Sequence, residues 1–444
     1  MTTYTRGAKA TTQWSPAREE QLYRRIFLRL IPILFISQIF AFLDRVNIGF
    51  AKTHMANDLG LTSAQYGLAA GVFFLGNMLL EVPSNLLLHR IGARRSLFRI
   101  MFLWGIVSSA TLFVRTAHEL VLMRFLLGLC EAGFWPGVLL YLTYWFPAAR
   151  RANAVAICLL APIAAGILAG PLSGWILSDM EGRLGLHGWQ WMFLLEGIPA
   201  CLVGLLVRFC LPDGPQEAAW LSSDERFRLL ADLKHQESAE LATGTRAAFG
   251  RPQIVRVALL AFLLACVLCG VFLNVFWLPT VIAEAGVRGD LRIGIYSVVP
   301  YVVGGVAMIL VSRHSDARGE RHWHFAGSML TAAAGLATIA CGHSSMWVAL
   351  TGICLLTAGL SSALAVFWAL PPALLPKAAL PGAIAAINMI GGIGALAGPW
   401  LMGVLRDRTE SAALSLAPFF VLMIAGAMCS LLFARGAADA VHHA

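Results

Sequence analysis

Long apolar runs separated by short polar breaks dominate the chain. Twelve runs are long enough to cross about 30 Å of hydrocarbon, which takes about 20 helical residues. They fall near 27–50, 66–88, 97–115, 119–145, 152–178, 190–211, 256–282, 293–312, 324–341, 346–370, 382–405 and 413–434. Hydrocarbon offers the backbone no partners, so such runs predict helices. Barrel strands would read as alternating segments of about ten residues, and these runs do not alternate. One polar break, 212–255, is much longer than the rest. Within it Ser223-Asp224-Glu225 precedes Phe227, Leu229, Leu230 and Leu233, which predicts a capped amphipathic helix on the inner membrane face. The pattern divides the chain into an N-terminal segment (1–28), a six-helix bundle (29–211), a linker (212–255), a second bundle (256–434) and a tail (435–444).

The halves echo one another. Leu168-Ala169-Gly170-Pro171 returns as Leu396-Ala397-Gly398-Pro399, 228 positions later. Gly92-Ala93-Arg94-Arg95 has a counterpart in Asp316-Ala317-Arg318-Gly319 at an offset of 224, and Phe146-Pro147 in Leu375-Pro376 at 229. Three matches at nearly one offset predict a parallel repeat. The expected fold is an all-α integral membrane protein of twelve transmembrane helices in two pseudo-symmetric six-helix bundles. Repeats of this kind enclose a site at their interface in transporters.

Composition removes the soluble alternatives. Of 444 residues, 58% are hydrophobic and 13% charged, against about 25% charged in soluble domains. The charge balance, 33 − 24 = +9, sits mainly on one side. With the N-terminus inside, the inner segments carry 20 Lys/Arg. The outer ones carry seven: Lys52, Arg115, Arg183, Arg288, Arg292, Arg406 and Arg408. This asymmetry predicts both ends in the cytoplasm, and it explains the net charge without a nucleic-acid partner. Arg18, Arg24, Arg25 and Arg29 lead directly into the first run, which reads as a first spanning helix rather than a removable signal. The nine cysteines lie in or beside apolar runs, and the Cys266–Cys269 pair reads as packing. Nucleotide, zincin and hydrolase motifs are missing. The reading is therefore of a non-enzyme without cofactor or metal, driven by an ion gradient.

Several motifs carry a resemblance. Leu43-Asp44-Arg45-Val46-Asn47-Ile48-Gly49, Glu81-Val82-Pro83-Ser84-Asn85, Ala218-Ala219-Trp220-Leu221 with Asp224-Glu225, and His89-Arg90-Ile91-Gly92-Ala93-Arg94-Arg95 all bear on it. The chain resembles the major facilitator superfamily and, within it, the bacterial tartrate-like branch of the anion:cation symporters. The loop motif departs from the superfamily pattern at His89, where many members carry Asp. The resemblance implies the major facilitator fold and a monomer. It also implies proton coupling through Asp44 and Glu131, and anion binding or gating through Arg45 and Arg124. Trp368 and Asn388 match cavity-lining positions of organic-acid members.

Those four ionisable residues also stand out by position, because charge inside a span needs a reason. Arg124 and Glu131 are seven apart, so they share a helix face, about 20° out of register and about 10.5 Å apart along the axis. Arg45 and Arg124 both lie toward the outer ends of their spans and can converge on one carboxylate, which guanidinium binds through paired hydrogen bonds. Burial favours the neutral form of a carboxyl and a neighbouring Arg the charged form, so Asp44 and Glu131 can exchange a proton as an anion comes and goes. An ion pair between Asp44 and Arg45, with Arg124 reaching the surface, is the structural alternative. Asn274 joins Trp368 and Asn388 as a second-half lining residue. Glu81 is placed against the basic loop, and Glu196 beside Arg94 or Arg95. Phe42 points away from a polyhydroxylated sugar acid. Arg90, Gly92, Arg94, Arg95, Asp316 and Arg318 are the expected inner gate. Gly166, Gly170 and Gly174, with Gly394, Gly398 and Gly403, are expected to bring helices together.

The expected activity is proton-coupled import of a small organic anion (tartrate-like, sugar-derived or aromatic) by alternating access. The partners are the anion, protons and the bilayer. An uncoupled facilitator or exporter, or a non-transporting sensor, is the alternative.

Overall fold

The computed structural model describes residues 14–242, 251–342, 345–376, 379–409 and 411–442. In chain order the helices are α1 (Pro16–Leu59), α2 (Ser63–Ile91), α3 (Ala93–Ala110), α4 (Ala117–Glu131), α5 (Phe134–Thr143), α6 (Ala148–Cys158), α7 (Ala161–Asp179), α8 (Gly188–Cys210), α9 (Ser223–Ala242), α10 (Arg251–Glu284), α11 (Asp290–Arg318), α12 (His322–Gly342), α13 (Met346–Phe367), α14 (Leu370–Leu374), α15 (Leu380–Thr409) and α16 (Ala412–His442). Among the described residues twelve crossings are long and apolar enough to span a membrane; α4–α5 make one of them and α6–α7 another. Large apolar side chains face outward, with Phe209 78% and Val421 63% exposed. That inside-out surface suits a lipid solvent.

Several boundaries differ from expectation for local reasons. Helix α1 begins at Pro16, well before residue 27, because Ser15 accepts the Arg18 N–H at 3.3 Å and Pro16 suits a first helical position. Helix α10 already starts at Arg251, inside the expected linker, of which 243–250 lie outside the described residues. Parts of the expected end segments, 1–13 and 443–444, also lie outside them. The cap of α9 is Ser222 rather than Ser223. Its Oγ accepts the Glu225 N–H at 3.3 Å, and Glu225 Oε2 accepts the Ser222 N–H at 2.9 Å. Phe227 is 78% exposed while Leu229 is buried, since two helical steps rotate a side chain by about 200°. Lys52, Arg292, Arg406 and Arg408, expected in loops, lie within helices α1, α11 and α15.

Helix α9 is tied to the first six crossings. Trp220 stacks on Trp145 with centroids 5.8 Å apart, and Arg29 lies 4.8 Å over Trp220. Arg25 bonds Glu225, and Tyr23 donates to Asp232 at 3.3 Å.

The first six crossings pack through α2–α4, α3–α8, α1–α7 and α1–α8, and the last six through α10–α15, α12–α13, α11–α13 and α12–α16. The groups meet through α2–α15, α7–α11 and α1–α10. Bonds between them cluster at the face opposite α9. His54 Nε2 lies 3.0 Å from Asp290 Oδ1. Asp407 accepts the Ser63 and Ala64 N–H groups at 3.0 and 2.8 Å, capping α2 from the other half. Tyr66 donates to the Phe276 carbonyl at 2.9 Å. The molecule is closed at the face opposite α9.

Candidate functional site

Helix α1 carries Asp44 and Arg45, and successive helical residues point about 100° apart. The two therefore find different partners. Arg45 bonds Glu131 on α4, with its Nε 2.9 Å from Oε1 and Nη2 on the same oxygen. Asp44 Oδ1 accepts from Ser108 on α3 and from Asn47 Nδ2 at 3.2 Å. Arg124 Nη1 donates to the Asp44 backbone carbonyl at 3.3 Å. The local Asp44–Arg45 pair does not form, and Arg124, 1% exposed, does not reach the surface.

Both guanidiniums lie near one ring. Arg45 lies 5.3 Å and Arg124 5.4 Å from the Phe73 ring centre, a contact worth about 0.5–2 kcal/mol each. Glu131 is the last residue of α4. Ala132 leaves the helical region, and Gly133 turns at φ +82° before α5 resumes at Phe134. A side chain at Gly133 would be strained and would meet Ser84 at 2.8 Å. The break places the carboxylate at an interrupted helix, a recurrent feature of transporter sites. Several buried polar atoms here have no bond: Arg124 Nε and Nη2, Glu131 Oε2 and Asp44 Oδ2. Buried groups of this kind are normally satisfied.

The second-half candidates have described partners of their own. Asn274 is buried on α10 and donates to Thr357 at 3.0 Å. Trp368 is 39% exposed and meets Phe367 edge-on at 5.3 Å. Asn388 lies half-buried on α15. The direct link between the halves near Phe73 is aromatic, with Phe74 and Phe272 centroids 4.2 Å apart. Phe42 is half-buried.

The expected inner gate is partly redrawn. Arg94 bonds Asp213 at 3.3 Å and Glu217 at 3.2 Å, and its backbone N–H reaches Asp213 at 2.7 Å. Gly92, at φ +89°, leaves room for that carboxylate, which a Cβ there would meet at 2.7 Å. Asp316 pairs with Arg321 at 2.6 Å. Arg90, Arg95 and Arg318 are exposed. The described partners of Arg94 and Asp316 lie beside their own bundles. Glu196 does not reach Arg94 or Arg95; it is buried on α8 with Ser173. Ser108, Asn47 and Phe73 are site residues that sequence reasoning missed. Asn47 stands within the motif around Asp44, but serine and phenylalanine in apolar runs gave no signal.

Two bundles of six crossings around a buried arginine–carboxylate set define a multi-pass secondary transporter. The chain belongs to the Major Facilitator Superfamily, whose profile matches residues 34–399. It is 41% identical over 423 residues to the "Putative tartrate transporter" of Agrobacterium vitis, covering 95% of this chain and 96% of that one. It is 36% identical over 409 residues to the "Quinolone resistance transporter" of Acinetobacter baumannii, covering 92% and 94%. The fold matches the xylose transporter XylE from E. coli in its inward open conformation. The TM-score is 0.74 at 16% identity, over 91% of this chain and 95% of that one. These relatives are transporters, not enzymes, and so is this chain.

Proposed function

We propose that the protein imports a small organic anion together with one or more protons, by alternating access across the bacterial inner membrane, as a monomer with both ends in the cytoplasm. The observation that carries this reading is Arg124, a wholly buried guanidinium with two nitrogens unbonded by the protein, beside an Arg45 already bonded to Glu131. A carboxylate supplies the acceptors those nitrogens lack. With α9 on the cytoplasmic side, the face closed by the His54–Asp290 and Asp407 bonds is the outer one.

Coupling follows from competition for Arg45. Without substrate, Glu131 is a carboxylate held by Arg45. An anion that takes the Arg45 fork strips Glu131 of its cation, and a buried carboxylate without a cation takes up a proton. Anion and proton then enter the site together. When the anion leaves inward, Glu131 gives up its proton and re-forms the bond, which resets the empty carrier. Asp44 serves as a second proton-accepting group. Arg45 and Arg124 orient the carboxylate, and Asn274, Trp368 and Asn388 shape the second-half wall. The name of the tartrate relative supports a carboxylate substrate. The rings of Phe73, Phe74 and Phe272 favour an apolar or aromatic body behind that carboxylate. Arg94 with Gly92, Arg90, Arg95, Asp316 and Arg318 form the inner gate as the molecule turns outward.

The test is uptake into proteoliposomes of tartrate, an aromatic monocarboxylate and a sugar acid, with and without an imposed pH gradient. Saturable uptake of at least one acid, accelerated by outside acidity, is expected. Uptake of none, or uptake indifferent to the gradient, overturns the reading.

A further inference from the structure

The core of the first bundle buries another carboxylate that this mechanism does not use. Glu196 on α8 is 2% exposed. Its Oε1 accepts from Ser173 Oγ at 3.0 Å, and its Oε2 has no bond. Asp44, on the neighbouring helix α1, is 1% exposed and accepts from Asn47 at 3.2 Å. Among the described residues no basic side chain bonds Glu196, whose described donor is the Ser173 hydroxyl. Asp44, by contrast, has Arg124 at its own backbone oxygen. Glu196 is therefore a sealed carboxyl group served by a neutral donor.

Donor counting points the same way. Asp44 Oδ2, Asn47 Oδ1 and Glu196 Oε2 are all buried and unbonded. All three are acceptors when the acids are ionised. A proton on Glu196 turns its unbonded acceptor oxygen into a donor, and it removes the cost of a buried charge that no basic side chain bonds.

We propose that Glu196 is a proton-holding residue in the core of the first bundle, additional to Asp44 and Glu131. Its role in transport rests on the proton-coupled reading above; its protonation does not. The step is a bare proton transfer, from water to a carboxyl oxygen and back, with no covalent change in the substrate.

Two measurements on the full-length protein test this. Infrared difference spectroscopy at neutral pH in H2O and D2O is expected to show a protonated carboxyl C=O band that Glu196→Gln removes or shifts. A band unchanged in Glu196→Gln overturns the assignment. In proteoliposomes, the ratio of gradient-driven uptake to counterflow is expected to fall at least tenfold in Glu196→Gln and to recover substantially in Glu196→Asp, which restores a titratable group. A purely structural Glu196 would lower both rates together and leave the ratio alone, which overturns the proposal. Wild-type uptake that ignores the gradient overturns the coupling reading and the transport role of Glu196 with it. A gradient-driven wild type with an unchanged Glu196→Gln ratio overturns only the latter.

Discussion

Arg124 shows how much one side chain decides. It is sealed inside the first bundle, yet the protein bonds only one of its nitrogens, to a backbone oxygen. Lysine keeps the charge but loses the planar fork. Charge-assisted bonds are worth about 1.5–3 kcal/mol, so Arg124→Lys is expected to raise the KM for the anion about 10- to 100-fold in initial-rate uptake. Glu131→Gln is expected to remove the gradient dependence while leaving anion exchange measurable, because glutamine mimics the protonated acid at Arg45. Gradient-driven uptake at the wild-type rate in that variant contradicts the assignment. The four charged residues were legible because charge is rare inside a span. Their partners were not: an Asp44–Arg45 pair stood as the structural alternative, and helical geometry sends the two apart. Ser108 and Asn47 acquire meaning only when α3 brings a hydroxyl to the Asp44 carboxyl.

At the scale of the element, caps and breaks do the positioning. The polar stretch 212–255 announced a helix, but the choice of Ser222 over Ser223 as cap depends on which hydroxyl faces the Glu225 N–H. Burial raises the Glu225 carboxyl, but the Ser222 N–H and Arg25 outweigh it and hold the group below its usual range. A lowered carboxyl contributes stability above its unfolded pKa and loses it as pH falls through the folded value. The docking of α9 is therefore expected to survive mild acid and to loosen only below the ordinary glutamate range. Hydrogen exchange in α9, corrected for the intrinsic rate, checks this. Gly92→Ala forces a side chain into positive φ against Asp213. A cost of about 1–3 kcal/mol is expected, seen as a lowered Tm, with faster exchange at the start of α3. The interruption after Glu131 was hidden in a run that reads as continuous, since Ala132-Gly133 is as apolar as its neighbours.

Across the whole molecule, the twelve crossings and their grouping were written in run length and in the recurring motifs. Which face closes was not, because a rocking carrier has one sequence and two packings. Closure here rests on close backbone approach. A Cβ at Gly170 would lie 2.2 Å from the Gly294 carbonyl oxygen, and one at Gly67 would lie 2.3 Å from that of Pro399. Leucine at Gly170 is expected to wedge α7 from α11 and shift the population toward opening opposite α9. Spin labels at Leu184 and Arg288, on loops of the two halves at that face, are expected to move apart. An unchanged distance distribution would contradict this account of closure.

The most direct test of the central idea, a half-buried Arg45 beside buried Arg124 whose bond to Glu131 is exchanged for a substrate carboxylate, is the proton count per anion. Simultaneous recording of acid uptake and internal pH in proteoliposomes measures it in the wild type and in Glu131→Gln. The account predicts internal acidification that tracks anion entry in the wild type and is reduced or lost in Glu131→Gln. Anion entry with no proton movement, or equal acidification in both proteins, would contradict it.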